Sequence, residues 1–240
     1  MWRSSSHAWK VLLLCFTVLG LTAPVFGFCP APQPTVSCEF LDSDAVFIGT
    51  VISTQDTPAQ GSYYDGWTYE ISVQKMYRGP VGKTIEVFTE KSSGELPLDN
   101  GKEYVLFATE EEGRLMIYSC GNSALVSKAR NTIEELNHLK TPEDAEIEGQ
   151  VVFLPDPLAQ EPPHVSDVHV VIHGTAKTYT LTCDRNGWFH LHVPPGEYSA
   201  DVEPIAHWNI APSGISIDDP DHFEARKGHC SGLSFFAWPK

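Results

Sequence analysis

LTCDRNGWFHLHVPPGEY, residues Leu181 to Tyr198, is a β-hairpin written with two turns. The first falls at Asp184-Arg-Asn-Gly187, where Asn186 and Gly187 tolerate the positive φ that a tight hairpin connection needs. The second is Pro194-Pro-Gly196, in which Pro195 restricts φ and Gly196 is the expected positive-φ position. Between them Trp188 to Val193 reads as a strand. Successive side chains of a strand point to opposite faces, so Trp188, His190 and His192 form one strip and Phe189, Leu191 and Val193 the other. The polar strip points outward, and it is either ordinary surface or half of a metal site.

The flanking sequence continues the strand pattern. Glu146 to Phe153 places Ile147, Gly149, Val151 and Phe153 on one face, which predicts a half-buried strand. A proline-rich loop from Leu154 to Pro163 follows. In Val168 to His173, residues Val168, Val170 and Ile172 alternate with His169, Val171 and His173, so the imidazoles point away from the core. Thr178 to Cys183 opens the hairpin, and Glu197 to Glu203 resumes after it with Tyr198, Ala200 and Val202 inward. The EIEGQVVF strand, the CDRNGWFHLHV hairpin and the PPGEY turn together resemble the carboxypeptidase regulatory-like modules over about residues 146–238. The resemblance implies a transthyretin/Ig-like antiparallel β-sandwich. It also implies no catalysis, because such modules serve as folding, interaction or carbohydrate-adhesion units.

Composition divides the chain near residue 141. Upstream of it the exported chain has one histidine, His138, whereas eight lie between His164 and His229. Lys140 to Ala145 contains Pro142 and follows a helical pattern, which makes 141–145 the expected linker between a first domain at 28–140 and a second at 146–240. The first domain reads as five strands, Asp44 to Thr54, Trp67 to Tyr77, Thr84 to Thr89, Glu103 to Ala108 and Arg114 to Cys120, separated by Gly-, Asn- and Ser-containing turn signals. After Cys120, Leu125, Ala129, Ile133, Leu136 and Leu139 recur every three or four residues, as in a helix. Five strands and a helix predict an OB-like barrel with a C-terminal helix, so the whole chain is expected to be mainly β.

The order Cys29, Cys38, DAVFIGTV (44–51), KMYRG (75–79), GKEYVLFA (101–108) and LMIYSCG (115–121) resembles the netrin-like domain of tissue inhibitors of metalloproteinases and their bacterial relatives, over roughly residues 29–140. The resemblance implies an OB barrel whose N-terminal segment is tied by disulfide to the strand ending at Cys120, which favours Cys29 with Cys120. Spacing alone equally allows Cys38 with Cys120. Metalloproteinase inhibition in that family uses an N-terminal cysteine as zinc chelator. Here Phe28 precedes Cys29, the Cys-x-Cys start is missing, and no cysteine lies around Gly94 to Leu96.

The expected start at Phe28 comes from the leader. Arg3 and Lys10 precede an apolar run from Val11 to Leu21, and Val25 and Gly27 suit the −3 and −1 positions of a cleavage site. Residues 1–27 therefore read as a signal peptide, and the protein as secreted or periplasmic. The run is shorter than the roughly 20 apolar residues of a bilayer span, so no permanent membrane anchor is expected. Removing the leader deletes two basic residues and no acidic one, taking the formal charge from −15 to −17. Such a surface repels phosphate and argues against nucleic acid as a partner.

Five cysteines remain in the exported chain, so one thiol is left over from internal pairing; Cys183 and Cys230 are placed to join two strands of the second domain. Chemistry-bearing motifs are few. There is no Gly-x-Ser-x-Gly, no His-Glu-x-x-His and no phosphate loop, and no catalytic residue is expected. Imidazole is a common metal ligand, and His169 with His173 and His190 with His192 each set two rings on one strand face. Those four would hold zinc or copper if their strands were neighbours. Trp188 beside His190 would instead offer an aromatic platform. The expectation is an exported binding protein with no resident cofactor and a protein or carbohydrate partner, the alternatives being a surface zinc or copper protein and a metalloproteinase inhibitor.

Overall fold

The computed structural model describes residues 33–59, 64–80, 82–139, 144–154, 168–214 and 216–240. The expected signal peptide, Cys29 and most of the expected linker lie outside them. The chain is mainly β, with two short helices among the described residues. Its first elements are α1 (Val36–Asp42), β1 (Ala45–Thr57), β2 (Gly66–Arg78), β3 (Thr84–Glu90), β4 (Glu103–Glu111), β5 (Arg114–Met116), β6 (Ala124–Leu125) and α2 (Arg130–His138).

These strands close on themselves. β1 pairs antiparallel with β2 on one edge and with β4 on the other, and the order β1-β2-β3-β5-β4 returns to β1. Closure removes the exposed strand edges of an open sheet. Three register shifts along the β1/β2 ladder, between Val46 and Phe47, Ile48 and Gly49, and Val51 and Ser53, supply the bends. Alternation in β4 explains its continuous apolar run. Leu106 joins Phe47, Ile71 and Ile117 inside the barrel, whereas Val105 and Phe107 join Val46 on its outer surface, under Phe40 and Leu41 of α1 and Leu136 of α2. The helix is shorter than its periodicity predicts, because Leu125 pairs with Tyr104 as part of β6 and the Ser123 hydroxyl accepts from Phe107 N at 2.9 Å.

The remaining strands are β7 (Ala145–Phe153), β8 (His169–Gly174), β9 (Thr178–Thr182), β10 (Trp188–Val193), β11 (Gly196–Val202), β12 (Trp208–Pro212), β13 (Phe223–Ala225) and β14 (Cys230–Pro239). They form two four-stranded sheets, β10-β7-β14-β12 and β13-β11-β8-β9, around a core that includes Ile147, Val151, Ile172, Phe189 and Phe235. All pairs are antiparallel except β7 with β14, which run parallel.

The two expected turns are present with different backbone detail. Gly187 has φ +82°, and Asp184 Oδ1 accepts from the backbone of Asn186 and Trp188 at 2.8 and 2.9 Å; Asn186 itself is not left-handed. Gly196 is not left-handed either, since it already begins β11. That corner is held by the Tyr198 hydroxyl, which donates to Pro194 O at 2.7 Å.

Cysteine pairing also departs from expectation. Cys230 is joined to Cys38 of α1, across 192 residues of sequence. Cys183 is free and buried within the sandwich core, where desolvation pushes its thiol up to about 11. The physical reason is strand parity. Residues 231, 233, 235 and 237 of β14 are buried, with Leu233, Phe235 and Ala237 in the core, so Cys230 faces the opposite side of its sheet. Cys120 is disulfide-bonded; its expected partner Cys29 lies outside the described residues.

Candidate functional site

The outer face of sheet β10-β7-β14 gathers the ionisable groups. Register places His192 opposite Glu146 and His190 opposite Glu148 across the antiparallel β10/β7 ladder, while β14 sets Cys230 beside Glu146 on the parallel side. Trp188 continues the strip opposite Gln150. This face is covered, because α1 and the segment before it lie against it. Glu146 and Glu148 are consequently 1% and 6% exposed, which a half-buried strand reading did not anticipate.

A carboxylate so placed costs several kcal/mol unless it is partnered. The two solve this differently. Glu146 Oε1 accepts from Ser37 Oγ at 2.7 Å and is hydrogen-bonded to His190 Nε2. Burial is the largest single influence and raises the Glu146 pKa, but the two hydrogen bonds and the charges of His190 and His192 together outweigh it, so the carboxyl sits below its ordinary range. The same Glu146 bond, with the fields of Glu146 and Glu148, raises His190 against the opposing effect of its own burial. Glu148 accepts from Thr35 N with both oxygens, at 3.0 and 3.3 Å, and burial still raises it. A bond to a charged group is worth about 1.5–3 kcal/mol; the bonds and positive charges around Glu146 outweigh its burial, whereas the Thr35 bonds to Glu148 do not outweigh its burial and the charge of Glu146.

Two hollows meet at His190. A smaller one of about 230 Å³ is lined by Ser37, Glu135, Glu146, His190 and His192 with Phe40 and Leu41 of α1 and Leu139. An open cleft of about 590 Å³ lies beside it, where Gln33, Thr35 and Asn122 face Asp184, Trp188 and His190. A larger hollow of about 690 Å³ lies on the barrel between β3 and the β4/β5 turn and contains no histidine, cysteine or tryptophan.

The four expected metal ligands do not converge. His169 and His173 are on β8, in the other sheet, where His169 Nδ1 meets Thr182 Oγ1 at 3.2 Å and His173 pairs with Asp201 at 3.4 Å. Both pairs have outward parity, but their strands belong to different sheets whose outward faces point in opposite directions, and that separates them. His190 and His192 do come together, with ring centroids 4.8 Å apart, and the third member of the group is Glu146. Its signal in the sequence was the outward parity of Glu146 and Glu148 in EIEGQ. Cys38, Glu148 and Cys230 also cluster, but the two sulfurs are bonded to each other.

Ser37, Glu146 and His190 have the residue types of a hydrolase triad but the wrong order. Carboxylate, not imidazole, stands in the middle, so His190 has no hydroxyl to activate there. The inhibitor expectation rests on Cys29, outside the described residues.

No known family model matches this chain, and neither does any curated protein. Among the solved structures similar to it are the following two. The Bacillus anthracis TIE protein aligns over 81% of this chain and 40% of its own length, at 10% identity and a TM-score of 0.30, so this chain spans about two fifths of that protein. The major pilin protein (T-13) from Streptococcus pyogenes serotype GAS131465 aligns over 84% of this chain and 92% of its own, at 9% identity and a TM-score of 0.17. At those scores neither likeness bears on function.

Proposed function

We propose that this protein is an exported, non-catalytic binding protein that takes a protein or carbohydrate partner in the cleft beside Trp188. The observation that supports this best is the make-up of that cleft: an indole side by side with the polar groups of Gln33, Thr35, Asn122, Asp184 and His190, contributed by both halves of the chain. Amides, hydroxyls and a carboxylate around an aromatic wall suit a partner rich in hydrogen-bonding groups, such as an oligosaccharide or an extended peptide. Export is supported by the leader-like N-terminus and by the disulfide between Cys38 and Cys230, since such bonds persist in oxidising compartments. The net negative charge disfavours nucleic acid and other polyanions in the cleft.

The test is capture of oligosaccharides and of exported proteins by the purified chain, compared with Trp188→Ala. Removing a central aromatic from such a site should weaken capture by tenfold or more while the melting temperature stays within a few degrees. Equal capture by wild type and a folded Trp188→Ala would remove the cleft from the binding surface.

A further inference from the structure

We propose that Glu146, His190 and His192 form a binding site for a divalent metal ion, zinc by its donor set, at the wall of the small hollow between α1 and β10. This goes beyond the binding function above and shares only His190 with that cleft, since Trp188 is not a ligand and Glu146 and His192 do not line the cleft.

The donors come from two adjacent strands of one ladder, which fixes their spacing. His190 and His192 are two residues apart on β10 and so share a face, and Glu146 lies directly across from His192 and diagonally from His190. One imidazole nitrogen from each histidine and one carboxylate oxygen already lie within 4.8 Å of one another. Zinc bonds to nitrogen and oxygen are about 2.0–2.2 Å long, so neighbouring donors around it stand a little over 3 Å apart, and small side-chain rotations close the difference.

The surroundings favour a cation. The hollow is lined by two carboxylates, Glu135 and Glu146, two imidazoles and no Lys or Arg. Glu146 is anchored, with its side chain 2% exposed and its oxygen held by the Ser37 hydroxyl, the kind of outer partner that orients a ligating carboxylate. The histidines remain reachable, the His190 side chain being 39% exposed. Three protein donors leave one tetrahedral position open toward the hollow, as zinc sites with an exchangeable water do.

Protein purified without a histidine tag and stripped with chelator is titrated with zinc chloride in a calorimeter, and with cobalt(II) for its visible absorption. One equivalent is expected, with tetrahedral cobalt bands. His192→Ala, an exposed position whose loss leaves the core packed, should weaken zinc by at least tenfold and abolish the bands, and His190→Ala should do the same. His169→Ala and His173→Ala should bind as wild type. Absence of zinc uptake, uptake unchanged in a folded His190→Ala/His192→Ala double variant, or equal losses in the β8 variants would each overturn the site. Trp188→Ala should keep its zinc, so failure of the partner-binding reading and failure of the metal site are separately visible.

Discussion

Burial of Glu39 in α1 pushes its carboxyl from 4.5 to about 7, even though Asn122 donates to Oε2 from its backbone N and side-chain Nδ2 at 2.5 and 2.7 Å. Between those two values the unfolded chain has released this proton and the folded chain retains it. Folding therefore loses stability from this group as pH rises from 4.5 to about 7, and the penalty is complete above that window. Glu39→Gln keeps an oxygen for Asn122 and removes the charge. Its advantage over wild type in denaturant unfolding should be negligible near pH 4 and grow to the order of 2 kcal/mol by pH 8; an advantage independent of pH would refute this account. Glu146 acts in the opposite sense to Glu39, and His190 in the same sense. The lowered carboxylate contributes stability that is lost only as pH falls through its folded pKa, and the raised imidazole contributes stability that is lost as pH rises through its own. The identities of all these residues were readable in the sequence, but their charge states depend on which neighbours exclude water from them.

At seven residues α1 is too short to be stable alone, and its neighbours hold it. Thr35 caps it, accepting from Cys38 N at 3.2 Å. One side sends Phe40 and Leu41 into the barrel's outer core, with Arg78 over the Phe40 ring at 5.6 Å. The other side faces the sandwich: Cys38 and Asp42, four residues apart and so on one helical face, both reach Cys230, the first by disulfide and the second by accepting its backbone N at 3.2 Å. A bridge closing so long a loop stabilises by roughly 5 kcal/mol in the chain-entropy model, and removal of native disulfides typically costs 2–5 kcal/mol. The Cys38→Ser/Cys230→Ser double variant should lose stability in that range by thermal melting, and the same loss should follow reduction of wild type at that bond. A loss below about 1 kcal/mol would mean that α1 docks without it. The sequence reading missed α1 because VSCEFLD shows less than two turns of periodicity, whereas the hairpin around Asn186-Gly187 was legible because its turn chemistry is local.

On the scale of the whole molecule, barrel and sandwich are joined twice, by the chain between α2 and β7 and by the Cys38–Cys230 bond. A protease site inserted after Lys140 should therefore yield fragments that run as one species without reductant and as two with it; separation without reductant would show that the second connection does not form. The cleft beside Trp188 takes its walls from both halves of the chain, whereas Glu146, His190 and His192 all come from the sandwich. Strand periodicity, turn residues and the apolar runs of β4 and β7 determined by themselves that the chain is mainly β, which residues of β7, β8, β10 and β11 face inward, and that His190 and His192 share an outward strip, since these depend on neighbours a few positions away. Only the tertiary structure decided that α1 covers that strip, that Glu146 joins the two histidines while His169 and His173 face elsewhere, and that Cys230 meets Cys38 and not Cys183. Those outcomes depend on which sheet each strand enters and what packs on its outer face, contacts between residues more than a hundred positions apart that no local pattern records.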